Sequence, residues 1–214
     1  MTNKNNQESN SETIIDEVYF SVDVEADGAI PGLYSMSSFG MVACAYRTRS
    51  GEIVDLDIDA KENCFYVELK PISEDYEPEA AAVADLDRAD LIANGIHAET
   101  AMIDASVFID ARTAAFGINT RPIFAAYPLG YDWMFMYWYF MAFAKRSPFG
   151  HSGALDMKSY FAAKSNSSVR RIGKRAMPQE LKSKRKHSHN ALDDAREQGE
   201  LLRNLLRWSA NPDK

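Results

Sequence analysis

A histidine and a pair of acids open the last periodic segment of the chain, His187-Ser188-His189-Asn190-Ala191-Leu192-Asp193-Asp194. His189 stands five positions before Asp194. Five helical residues turn roughly 500°, so two fully helical side chains at this spacing would point about 140° apart. For base and acid to share a site, His189 has to precede the helix and reach back over the face that carries Asp194. A histidine beside carboxylates can remove a proton from water bound to a divalent cation. The same residues also suit plain helix capping, with Asn190 as N-cap and Asp193 and Asp194 in the first turn, where the dipole favours acids.

Acids elsewhere in the chain shift the balance. In residues 16–25, Val18, Phe20, Val22 and Val24 alternate with Tyr19, Ser21, Asp23 and Glu25, the period-2 pattern of a strand with one apolar face. Asp23 and Glu25 therefore project to the same side, where they repel each other unless a cation lies between them. A lone Asp-x-Glu also suits an edge strand facing water. Asp132 opens a further helix just after Pro128-Leu129-Gly130, at a strand-to-helix edge. An N-cap role would explain it equally well in isolation.

The elements that must position these residues follow from pattern. After the turn at Gly28, Pro31 and Gly32, residues 39–47 are apolar on both faces, as in a central strand. Arg49-Ser50-Gly51-Glu52 reads as a hairpin turn into residues 53–58, and residues 63–69 continue an antiparallel meander. Short helical turns are expected within residues 79–91, and a longer helix over 98–115 with Met102, Ala105, Phe108 and Ile109 as its buried stripe. Residues 122–127 read as a fifth strand leading into the aromatic helix with Asp132, whose Tyr137, Trp138, Tyr139 and Phe140 suit the core better than base stacking. Residues 155–164 read as one more helix. In the final helix Leu192, Ala195, Gly199, Leu202 and Leu206 recur at helical spacing, and the glycine permits close packing on the sheet. Strands first, then helices alternating with a strand, give an α/β class of mixed α+β character.

A chain of 214 residues with 46% hydrophobic content supports one core-bearing domain. We expect a mobile polar tail over 1–15 and a single domain over 16–210. Cys44 and Cys64 lie in apolar strand-like runs without metal-ligand spacing, which suits buried free thiols and a reducing, cytoplasmic compartment. The apolar run 131–144 is too short for the roughly 20 residues that span a bilayer, so no membrane association is expected. The net charge of −7 conceals a segregation. Residues 164–187 hold Lys164, Arg170, Arg171, Lys174, Arg175, Lys182, Lys184, Arg185 and Lys186 against Glu180, a local net of +8 beside −15 for the remainder. A basic loop inside an acidic chain is the footprint of a phosphate-binding surface, although a solvated loop would look similar.

Asp23-Val24-Glu25, Asp132, and His189 with Ala191 and Asp194, in this order, resemble the motifs of the DEDDh 3′–5′ exonucleases, including ribonuclease T and polymerase proofreading domains. Residues 65–72, the Ser147-Pro148-Phe149-Gly150-His151 loop and Asp156-Met157-Lys158 are similar to stretches of bacterial stand-alone exonuclease domains. The resemblance spans almost the whole chain. It implies a ribonuclease H-like fold, a central mixed five-stranded sheet flanked by helices, with one antiparallel strand. It implies Asp23, Glu25, Asp132 and Asp194 as ligands of two Mg²⁺ ions, replaceable by Mn²⁺, and His189 as general base. Ala26, Asp27 and Gly28, with Lys182, Lys184, Arg185 and Lys186, make up the expected substrate-binding set. The implied reaction releases nucleoside 5′-monophosphates from single-stranded DNA or RNA 3′ ends, and ribonuclease T-like relatives imply a homodimer. One departure stands out: the family often has His-Asn ahead of the second motif's aspartate, where this chain has Tyr127 and Pro128.

Phosphodiester hydrolysis needs this inventory, because two cations about 4 Å apart neutralise the charge developing on the phosphate. Mg²⁺ prefers hard oxygen ligands, hence carboxylates and no cysteine. Two other classes compete: a catalytically inactive nucleic-acid-binding module on the same fold, and an interaction protein whose basic loop docks on an acidic partner. Salt-sensitive binding to single-stranded nucleic acid separates the second of these.

Overall fold

The computed structural model describes residues 15–83 and 86–209, so the expected polar tail lies, but for Ile15, outside the described residues. Among the described residues six strands form one sheet: β1 (Asp16–Ala26), β2 (Met36–Arg47), β3 (Ile53–Asp55), β4 (Cys64–Glu68), β5 (Thr120–Ala126) and β6 (Ala154–Asp156). The helices are α1 (Pro78–Ala81), α2 (Arg88–Asn94), α3 (Ala98–Ala114), α4 (Leu129–Tyr139), α5 (Met157–Lys164) and α6 (Ala191–Arg207). The strand order is β3-β2-β1-β5-β6, and β4 also pairs with β2. β1 is therefore central. β2 is the one strand that opposes the others, being antiparallel to β1, β3 and β4, while β5 and β6 run parallel to β1.

The sheet has six strands where the sequence pattern gives five. The extra one, β6, overlaps the first two residues of the stretch 155–164 read as a helix, and three residues are too few to display an alternation. Its last residue, Asp156, then caps α5 by accepting the Lys158 and Ser159 amides. The meander also closes differently from the expected continuation. β3 pairs with Ala45–Arg47 and β4 with Ser38–Val42, so two short strands share one long neighbour.

Each face of the sheet carries its own core. Val18, Phe20, Val22 and Val24 of β1 pack with Ala101, Met102, Ala105 and Ile109 of α3 and with Phe135, Met136 and Tyr139 of α4. Tyr19 of β1 and Val42 and Cys44 of β2 join Phe161 of α5 and Leu201, Leu202 and Leu205 of α6. Each fully buried side chain of this size is worth about 1.5–3 kcal/mol, so the alternation in β1 commits its polar residues to the α6 side. Tyr139 and Phe140 are core, as expected, whereas Trp138 is 36% exposed. Cys44 is buried but Cys64 only half-buried, a correction to the expectation for the second thiol; both are free.

Two glycines let α6 lie close on that second face. A Cβ at Gly40, which pairs with Asp23 across β1 and β2, would stand 2.4 Å from the Ala191 carbonyl oxygen at the helix start. A Cβ at Gly199 would stand 3.1 Å from the Cys44 Cβ. The first turn of α6 is thereby brought down beside Asp23.

Candidate active site

The site lies where the far half of β1 meets the starts of α4 and α6. Asn190 caps α6 as expected, accepting the Leu192 and Asp193 amides. His189 sits before the helix in a left-handed conformation, φ 58°, a region that histidine enters more readily than most residues. Asp194 holds this turn. Its fully buried carboxylate accepts the Ser188 amide through Oδ1 and the His189 amide through Oδ2, both at 2.9 Å.

Asp23, Glu25 and Asp194 each present a carboxylate oxygen, and these atoms lie within 4.8 Å of one another. Asp132 joins from α4. It is not an N-cap, a place taken by Pro128; its Oδ1 accepts the Val24 amide at 2.9 Å, between the two acids of β1. The five residues expected to form the site are thus brought together by three segments of chain.

Such crowding has an electrostatic signature. Burial, and then the nearby Asp132, Glu25 and Asp194, push the Asp23 carboxyl well above the usual carboxylate range. Burial, with Asp194 and Asp132, raises Glu25 to about 7. Asp132 is also raised to about 7, chiefly by burial, against the Val24 hydrogen bond and the Lys174 charge. The cluster carries more negative charge than its surroundings offset. All-oxygen donors with uncompensated charge fit a hard divalent cation such as Mg²⁺ or Mn²⁺.

Three residues around the cluster were not singled out by sequence. Gln198, one helical turn past Asp194 and 2% exposed, donates through Nε2 to Asp23 Oδ1 at 2.6 Å and accepts the Tyr127 amide at 2.8 Å. Its carbonyl end thus holds the backbone of Tyr127, one of the two positions where the family often has His-Asn. Lys174, one of nine cations in the basic segment, lowers the Asp23 and Asp132 carboxyls by its charge and pairs with Glu197 at 2.6 Å. The i+3 and i+4 spacing of Glu197 and Gln198 from Asp194 was the available signal.

The expected substrate-binding set divides. Ala26 and Asp27 are buried, and the Asp27 carboxylate accepts the Ser35 amide and pairs with Arg88. Gly28 packs beneath the Tyr34 ring, and its carbonyl accepts the Tyr131 hydroxyl. Arg185 is a strut between Glu200 of α6 and Asp59, and Lys182 donates to the Arg175 carbonyl. Glu200 lies about 9 Å along the helix from Asp194 at the ordinary rise. Lys184 and Lys186 remain exposed, as do Arg170, Arg171 and Arg175.

No protein-family model matches the sequence. A curated Escherichia coli protein, 3′–5′ DNA exonuclease Cap18, is 34% identical over 187 residues, covering 87% of this chain and 90% of that protein. Among solved structures, the nuclease domain of 3′hExo, a DEDDh family member bound to rAMP, superposes with TM-score 0.61 at 9% identity, over 92% of this chain and 94% of that one. Escherichia coli exonuclease I in complex with a dT13 oligonucleotide gives TM-score 0.54 at 14% identity, over 88% of this chain and 40% of that one. At such identities the structural likeness shows a common fold, the ribonuclease H-like one.

Proposed function

The chain belongs to the DEDDh 3′–5′ exonucleases, and on that premise we propose that it removes nucleotides from single-stranded 3′ ends by two-metal hydrolysis with His189 as general base. The observation that carries the reading is the convergence of the Asp23, Glu25 and Asp194 oxygens within 4.8 Å, with Asp132 fixed on the Val24 amide beside them. Asp23, Glu25, Asp132 and Asp194 would hold two Mg²⁺ ions, or Mn²⁺ in their place. Such ions supply charge neutralisation at the phosphate and a lowered pKa for the attacking water.

The remaining steps belong to the chain itself. Gln198 orients Asp23 against the Tyr127 backbone. Asp194 fixes the left-handed turn that carries His189, so the imidazole lies at the carboxylate cluster to take a proton from water. The exposed cations of the basic segment, Lys184 and Lys186 among them, attract the phosphates of an incoming strand. Products are nucleoside 5′-monophosphates.

DNA is the substrate we favour, since the 34% identical relative is named a DNA exonuclease and exonuclease I is seen with dT13; an RNA 3′ end is the competing substrate to assay beside it. The alternative of an inactive binding module has no missing acid to rest on. Among the described residues no helix is long and apolar enough to cross a membrane, and cytoplasmic placement is part of the same reading. A homodimer, carried over from the resemblance, is read by sedimentation.

The test is digestion of matched DNA and RNA oligonucleotides, free or blocked at the 3′ end, with Mg²⁺ or chelator. Stepwise loss from free 3′ ends only with metal, abolished in Asp23→Asn without unfolding, supports the proposal. Turnover in excess chelator sinks it.

A further inference from the structure

A second group of donors abuts the carboxylate cluster. One ring nitrogen each from His187 and His189 and one oxygen from Asp194 lie within 4.8 Å of one another. The two imidazoles meet edge to face with centroids 4.6 Å apart, and His187 Nδ1 stands 3.1 Å from Asp194 Oδ2. Tetrahedral zinc with bonds of 2.0–2.1 Å separates its donors by roughly 3.3 Å, so this last pair already has the required spacing. The site's other side faces solvent, since both histidines are exposed, which leaves room for water as a fourth ligand.

We propose that His187, His189 and Asp194 form a site for a borderline transition metal, Zn²⁺ in the first instance, and that its occupation switches off the neighbouring nuclease site. Donor chemistry separates the two sites. Two imidazoles and one carboxylate suit Zn²⁺, whereas Asp23, Glu25 and Asp194 offer only hard oxygens, which suit Mg²⁺. Asp194 is common to both groups, so the two cannot fill independently. A Zn²⁺ ion on the histidine side adds positive charge beside the other cations and takes a carboxylate oxygen from them. It also occupies an imidazole lone pair of His189. The inhibitory consequence rests on the proposed role of His189, but the binding does not.

His187 is the handle, because it belongs to this group and to no part of the proposed catalytic set. Zn²⁺ is titrated by calorimetry into the full chain in excess Mg²⁺, for wild type, His187→Ala and His187→Gln. Loss even of an outer-shell partner costs about 10–100-fold in metal affinity, so losing a ligand should weaken Zn²⁺ binding by at least tenfold. The zinc concentration that halts digestion should rise by the same factor, while digestion with Mg²⁺ alone stays at the wild-type rate. Substituting Co²⁺ for Zn²⁺ should give visible absorption bands of a four-coordinate site in wild type and lose them in both variants. Equal zinc affinity in all three proteins overturns the proposal, as does tight His187-dependent binding that leaves digestion running. Should the chain digest no substrate at all, calorimetry and the Co²⁺ spectrum still decide the site, and the proposed nuclease function fails separately.

Discussion

Gln198 Nε2 stands 2.6 Å from Asp23 Oδ1, and the other end of the same amide holds the Tyr127 backbone. One side chain thereby couples the central strand, the last helix and the loop that delivers Asp132. Partners of this kind fix the orientation of a ligand without touching the metal, and removing one costs about 10–100-fold in activity or metal affinity. Gln198→Ala should lower kcat or raise the Mg²⁺ requirement by that order while the fold stays intact. Mg²⁺ titrations of initial rate, beside circular dichroism of both proteins, check it; wild-type rates at every Mg²⁺ concentration would refute the coupling.

Crowded carboxylates make the metal-free protein sensitive to pH, and the sign follows from the shifts. Glu25 and Asp132 are held at about 7 against ordinary values of 4.5 and 3.8, so folding raises both. Groups raised in the folded state contribute stability that is complete below their unfolded pKa and lost as pH rises through the folded one. The metal-free protein should therefore weaken as pH climbs from about 4 to beyond 7, and Mg²⁺ should restore more at about pH 8 than at about pH 5.5. Thermal melts with chelator or Mg²⁺ at those two pH values read the difference, expected to be several degrees. An equal Mg²⁺ effect at both would show that the acids are not the cause.

Much of the site was legible because its residues have types and periods that local physics fixes. Alternation in β1 puts Asp23 and Glu25 on one face, and the helical turn angle forces His189 outside α6. Lys174 was not legible, since one lysine among many carries no local signature, and Gln198 offered only its i+4 spacing from Asp194; the fold supplies their partners, Glu197 and Asp23. The approach of α6 to β1 depends on Gly40, whose absent side chain is meaningful only once Ala191 is seen above it. Asp27 shows the converse. It stands next to the first motif, but its carboxylate is occupied by Ser35 and Arg88, partners 8 and 61 residues away. β6 escaped notice because three residues cannot show a period.

The basic segment should divide by function. Arg185 braces Glu200 and Asp59, so Arg185→Ala should lower thermal stability with little change in the salt dependence of binding. Lys184 and Lys186 are exposed, and replacing both by Ala should leave the melting temperature near wild type. Their removal should flatten the slope of log K against log salt, by about 0.7 for each phosphate of a single strand that is no longer neutralised. Binding of a DNA oligonucleotide by Asp23→Asn across a salt series measures the slopes without turnover. An unchanged slope in the double variant would place both lysines off the substrate path.

His187 and His189 lie one residue apart, and both reach Asp194, so proximity alone does not assign the base. Backbone geometry does. His189 donates its own amide to Asp194 Oδ2 and is held at φ 58° by that bond, which fixes the origin of its side chain relative to the carboxylates. His187 approaches the same carboxylate through its side chain alone, its Nδ1 standing 3.1 Å from Asp194 and 3.9 Å from Glu197 on the flank of the cluster. A positioned general base contributes about 10²–10⁴-fold in rate. His189→Ala should lose that much in kcat and keep its Mg²⁺ affinity near wild type, because no carboxylate is removed. His187→Ala should turn over near the wild-type rate with Mg²⁺ alone. Both variants, assayed on one labelled oligonucleotide from about pH 6 to about pH 9, should also differ in profile, the limb of a titrating base vanishing only in His189→Ala. If His187→Ala is instead the inactive protein, the roles of the two histidines are reversed.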